Sequence, residues 1–178
     1  MQTFATKHMA QYPARPTVTQ QMLLQAGKEV EEELNTWVNW KNKCSGLAEA
    51  LSRIPGAEHM NGYALARALE DNFALIDPDV DAVEVLDSFS FEVDQLLNDQ
   101  CAQWERDNNV QPPYPIGTQL KQGLITGIHE HDAATYLVDE GHGTTRRLVL
   151  KYEDAITAAE AAPPSELECQ TPETEAAH

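Results

Sequence analysis

Pro112-Pro113-Tyr114-Pro115 constrains this chain more than any other stretch. Adjacent prolines cannot continue a helix, because each lacks a backbone donor and its ring clashes with the preceding turn. They stiffen the chain toward an extended form instead. On the N-terminal side apolar residues recur in steps of three and four, the period of a helix face. On the C-terminal side they alternate with polar ones, the period of a half-buried strand. A chain that changes period once, at a break of this kind, is expected to segregate its helices from its strands, an α+β fold.

The strongest helical signal runs from Asp77 to Asp107. Val80, Val83, Leu86, Phe89 (or Ser90), Val93, Leu97, Cys101 and Trp104 draw one stripe down it. Asp77-Pro78 is a start signal, since Asp accepts from free N–H groups and Pro tolerates the first helical position. Such a helix would be roughly 45 Å long at about 1.5 Å per residue. Off the stripe stand Asp77, Asp79, Asp81, Glu84, Asp87, Glu92, Asp94, Asp99, Glu105 and Asp107, against the single base Arg106.

An earlier helix is expected from the capping box Thr17-Val18-Thr19-Gln20 to Ile54, stopped by Pro55-Gly56. Val30, Trp37, Cys44 and Leu51 lie seven apart along it, near-heptad spacing. Glu29 and Glu31 through Glu33 form an acidic turn on its wet side, and Gly27 or Gly46 could mark a bend. A shorter helix follows, capped by Asn61, with Tyr63, Leu65, Ala66, Leu69 and Phe73 facing inward. Short connections favour antiparallel neighbours. Three helices, two of them long, are therefore expected over residues 17–111, preceded by a flexible arm over 1–16.

Beyond the 112–115 linker, Gly117–Gln122, Leu124–His129, Thr135–Asp139 and Thr144–Lys151 read as four strands within 116–156. Gly123, Asp132-Ala133 and Glu140-Gly141-His142-Gly143 supply the turns. The pattern Ile116-Gly117-Thr118, Gly123-Leu124-Ile125-Thr126-Gly127-Ile128, Tyr136-Leu137-Val138 and Arg147-Leu148-Val149-Leu150 resembles the small SH3-like barrels of Tudor or KOW type. The resemblance covers about forty residues and rests on turn spacing and alternation. It implies a closed antiparallel barrel. Residues 157–178 hold Ala, Pro, Ser, Thr and five Glu with no Lys or Arg, and read as a disordered acidic tail.

Charge narrows the function. The 178 residues carry a net charge of −17, divided as −10 over 1–112, −2 over 113–156 and −5 over the tail. That balance disfavours direct binding to nucleic acid, whose phosphates attract bases, and to an anionic membrane surface. It favours a basic partner and fast, steered association. Cys44, Cys101 and Cys169 are odd in number and far apart, which suggests neither a disulfide framework nor a zinc ribbon. No apolar run is long enough for a signal peptide or a membrane span, so a cytoplasmic protein is expected.

Catalytic patterns are weak. Asp77-x-Asp79-x-Asp81 invites a calcium loop, but Ala82 and Ser88 stand where its turn glycine and bidentate glutamate would have to be. His129-x-His131, Asp132 and His142 could meet around a metal, although a set of exposed turn histidines is the simpler reading. Neither a nucleophile elbow nor a phosphate loop occurs. Lys121, Arg146, Arg147 and Lys151, with Tyr136 and Tyr152, are the one basic cluster, and acids are interspersed among them. No cofactor, metal or catalytic residue is expected.

What remains is a non-enzymatic acidic interaction protein. Asp81, Glu84, Asp87, Glu92 and Asp94 on the long helix, with Glu31 and Glu32 on the first, are the residues expected to bind a basic surface of a nucleic-acid-handling protein. Rows of carboxylates on a rigid helix can imitate phosphates and block such a site. In size and charge the chain resembles small acidic phage and mobile-element proteins that inhibit restriction or CRISPR machinery. Two alternatives stand beside this. One is a phage structural or assembly component that self-associates through the first helix, and the other a metal-dependent enzyme using His129, His131 and His142.

Overall fold

The computed structural model of the chain describes residues 3–37, 45–73, 80–141 and 147–161. They fall into two compact units, one of Pro13–Asn109 with His131–Ala133, the other of Met1–Tyr12, Val110–Glu130 and Ala134–His178. Helices build the first unit, and a four-stranded antiparallel sheet with short helices builds the second.

In the helical unit the expected first long helix is two pieces, α2 (Gln20–Trp37) and α3 (Leu47–Leu51), with α4 (Gly62–Phe73) and α5 (Val80–Asn108) following. Thr19, rather than Thr17, starts α2, its hydroxyl accepting from the Met22 amide at 3.3 Å. α3 packs back against α2, and Gly27 is what permits it: a Cβ there would lie 2.8 Å from the Ala48 Cα. The near-heptad residues Val30 and Leu51 accordingly meet inside one core with Ala26, Leu34 and Leu47. Cys44 lies outside the described residues.

Asn61 caps α4 as its sequence suggests, accepting from the Ala64 amide at 2.8 Å. Leu65, Ala66 and Leu69 are buried against α5, while Tyr63, expected inside, is 63% exposed. The α5 stripe buries Leu86, Phe89, Val93, Cys101 and Trp104, adds Ala82, and leaves Val80 exposed. Residues 77–79, where the helix was expected to start, lie outside the described part. Trp104 donates through Nε1 to the Pro13 carbonyl at 3.0 Å, and the Arg15 guanidinium stands 5.3 Å from its ring centroid. Residues 13–16, expected to be part of a flexible arm, thus cover the C-terminal half of α5.

Six further residues of that expected arm are helical. Phe4–Met9 forms α1, with Thr3 capping the Thr6 amide and with Ala5 and Met9 buried. It packs on the 3₁₀ turn at Tyr152–Asp154. The proline run, expected to be a spacer, contributes to the same core. Tyr114 is buried, and the Tyr136 hydroxyl accepts from its amide at 2.7 Å and donates to its carbonyl at 2.8 Å.

The strands are β1 (Gln119–Leu120), β2 (Gly123–Ile128), β3 (Thr135–Asp139) and β4 (Arg147–Lys151), in the order β1-β2-β3-β4. Ile125 pairs with Val138 and Gly127 with Leu137, so Thr126 sits in a bulge that shifts the register. Leu120, Ile125, Tyr136, Val138 and Tyr152 are buried on one side of the sheet. The sheet is not closed into a barrel. Its first strand is only two residues long, and a single bridge, Leu120 to Thr157, joins it to the chain after the 3₁₀ turn. The stretch expected to be disordered from residue 157 is ordered at its start, where Ala158–Ala161 forms a short helix, α6. Residues 162–178 lie outside the described part.

Candidate interaction surface

The acids singled out by sequence do not share one role. Glu31 is half-buried, and its Oε2 accepts from the Ala48 amide at 2.9 Å, at the start of α3. Asp87 accepts through Oδ1 from the Gly62 amide, at the start of α4. Both carboxylates satisfy free helix N-terminal donors, where negative charge is favoured. They hold the helical unit together, a role that the sequence did not reveal.

Asp81, Glu84, Asp94 and Glu32 are exposed, Glu92 is half-buried, and none of these five makes a salt bridge with a described residue. Glu32 stands apart from the α5 group. With Lys28, Glu31, Asn35, Gly46, Ala48 and Glu49 it lines an open depression of about 410 Å³ beside α2 and α3.

On α5 the helical period orders the rest. A step of seven residues returns to within about 20° of the same direction. Glu84 and Phe91 form one row, Asp87 and Asp94 the row beside it. Asp81 and Glu92, eleven residues apart, flank the other side. These rows lie opposite Leu86, Phe89 and Val93, which face the core. Phe91 is 59% exposed in the middle of them. Sequence reading missed it, because the apolar stripe was satisfied by Phe89. The signal was there in Phe89-Ser90-Phe91, since two residues along a helix turn a side chain to nearly the opposite face. The exposed ring presents apolar area to water on an otherwise charged face.

A second polar cluster lies in the sheet unit. Glu160 accepts from the Phe4 amide, from the Tyr114 hydroxyl at 2.8 Å and from the Thr157 amide and hydroxyl at 3.1 and 2.8 Å. The Phe4 amide above all, with the other donors, holds its carboxyl down at about 2. Burial, then Glu160, raises the Tyr114 hydroxyl to about 12, and burial raises Tyr136 to about 12. Both phenols therefore stay protonated donors at physiological pH. The cluster is built to fasten α1 and α6 to one unit, and its groups are occupied with each other.

Among the described residues no group of three His, Cys, Asp or Glu is placed to hold a metal ion, and no helix is long and apolar enough to cross a membrane. His129 and His131 are described, whereas His142, the third member of the expected cluster, is not. No protein-family model, curated protein or solved structure matches the chain.

Proposed function

We propose that this is a non-enzymatic interaction protein whose outer α5 face binds a basic surface on another protein, of the kind that nucleic-acid-handling proteins present, and covers it. One observation carries the reading: Asp81, Glu84, Glu92 and Asp94 share the outer side of a stiff helix with an exposed Phe91 and are not neutralised by any described base. An aromatic anchor supplies area that leaves water on binding, and the carboxylates supply steering and register.

Spacing refines the partner. From Asp81 to Asp94 the helix rises about 20 Å and carries four acids besides Asp87, roughly one per 6–7 Å. A nucleic-acid strand presents one phosphate per about 3.4 Å, and a duplex one charge per about 1.7 Å. The acids are sparser than the phosphates of either and stand on both sides of Phe91, so the face suits a compact patch of bases around an apolar contact. Size and charge fit an accessory inhibitor of phage or mobile-element type. Self-association through the first helix is less favoured, since Val30, Leu34 and Leu51 are buried in their own unit. We also read the sheet unit as an SH3-like topology left open, because its meander, 3₁₀ turn and return to β1 follow that order.

A photoreactive residue in place of Gln95, the outward neighbour of Phe91, tests the reading when the protein is mixed with extract of its native host. A cross-linked basic protein, displaced by single-stranded or duplex nucleic acid and lost in Phe91→Ala, is the expected result. Cross-linking that ignores Phe91→Ala and nucleic acid alike would remove this function.

A further inference from the structure

The sheet ends in an edge whose chemistry is specific. β4 pairs with β3 on one side, Lys151 opposite Thr135, Val149 opposite Leu137 and Arg147 opposite Asp139. Among the described residues of this unit no strand pairs with its other side. The Tyr152 amide donates to the Ala134 carbonyl at 3.0 Å, and this sets the phase of the ladder. In an antiparallel pair, residues alternate between those that exchange hydrogen bonds and those that do not. Residues 152, 150 and 148 therefore turn their N–H and C=O groups toward β3. Those of Arg147, Val149 and Lys151 point to the open side.

The side chains of the same three residues share the exposed face, with Val149 44% exposed between the two bases. Asp139, across from Arg147, does not neutralise it: its Oδ1 accepts from the Gly141 amide at 2.9 Å, and no salt bridge joins the pair. On the inner face Leu148 and Leu150 remain only half-buried, so the apolar layer is open at this edge.

We propose that β4 is a docking edge for an extended segment of a partner protein with the pattern acid–x–apolar–x–acid. Added antiparallel, such a strand sets its two acids opposite Lys151 and Arg147 and its apolar residue opposite Val149. Main-chain bonds to the three outward residues hold it, and the x positions, when apolar, extend the layer over Leu148 and Leu150. Charge also decides against a second copy of this chain. Two β4 strands paired antiparallel about Val149 would set Arg147 of each opposite Lys151 of the other, and like charges directly opposed disfavour the pair. This edge is distinct from the α5 face, and its partner has the opposite charge.

The test uses the full chain and a labelled peptide with Glu-Ile-Val-Leu-Glu at its centre, beside a control with Lys in place of both Glu. The acidic peptide should bind, and saturation should slow amide exchange at Arg147, Val149 and Lys151. Val149→Pro deletes an outward donor that the β3 ladder does not use, and should weaken binding at least tenfold. The double variant Arg147→Glu, Lys151→Glu should reverse the preference toward the basic peptide, which keeps the test decisive if the proline variant misfolds. No binding, or binding indifferent to both variants, would overturn the proposal. Peptide binding that tightens tenfold in Glu166→Gln, Glu168→Gln would name the chain's own C-terminal segment as the occupant instead. A dimer that Val149→Pro abolishes would name a second copy. Either result overturns a partner strand.

Discussion

At the residue scale, the acids of this chain have to be separated by what they touch. Asp87 accepts at the α4 N-terminus, so Asp87→Ala should lower unfolding free energy by about 1 kcal/mol. Glu84→Ala, outward and without a base, should change it by less than about 0.5 kcal/mol. Urea denaturation of the two variants measures the difference, and equal effects would contradict the division. Gly62 stands at the same contact. A Cβ there would run into the Val83 carbonyl and lie 2.8 Å from the Asp87 amide, so α4 and α5 would have to move apart. Gly62→Ala should cost about 1–3 kcal/mol despite alanine's better helix propensity, and a neutral or stabilising result would place the helices further apart.

Glu160 gives a pH dependence whose sign is fixed. Its folded carboxyl is held at about 2, below the ordinary 4.5. Its contribution to stability is therefore present above pH 4.5 and lost as pH falls through 2. The group is exposed, so solvent screens it and the effect is modest. Glu160→Gln should flatten the fall in stability between pH 4.5 and 2, as followed by denaturation across that range. An unchanged acid limb would show that Glu160 is not held.

At the scale of elements, periodicity was enough for α4, α5, β2 and β3, because each buries one face along most of its length. It failed where a few residues decide. Six-residue α1 has no room for a period; Thr3 and the burial of Ala5 and Met9 make it a helix. The first long helix is broken because the close contact of Gly27 with Ala48 folds α3 back on α2, a tertiary event that no local pattern announces. Phe91 was invisible for the opposite reason, since the α5 stripe was already complete without it. If α1 belongs to the sheet unit, Met9→Ala should cost about 2 kcal/mol and speed exchange of the Tyr136 and Tyr152 amides. A frayed arm would show neither effect.

At the scale of the whole molecule, a net charge of −17 is divided unevenly between the helical unit, the nearly neutral strands and the C-terminal segment. The open sheet also follows from proportion: a two-residue β1 cannot close a barrel, and alternation in the sequence does not reveal how many residues of a run will pair. The outer face of α5 as a seat for a basic partner is the claim on which the functional reading stands. Its most direct measurement is the affinity of the cross-linked partner for the wild-type chain and for Glu84→Lys, Asp94→Lys, each at two salt concentrations. Binding that falls at least tenfold in the variant, and that weakens with salt in the wild type more than in the variant, is the expected result. Equal affinity of the two chains, with helicity intact, would contradict it.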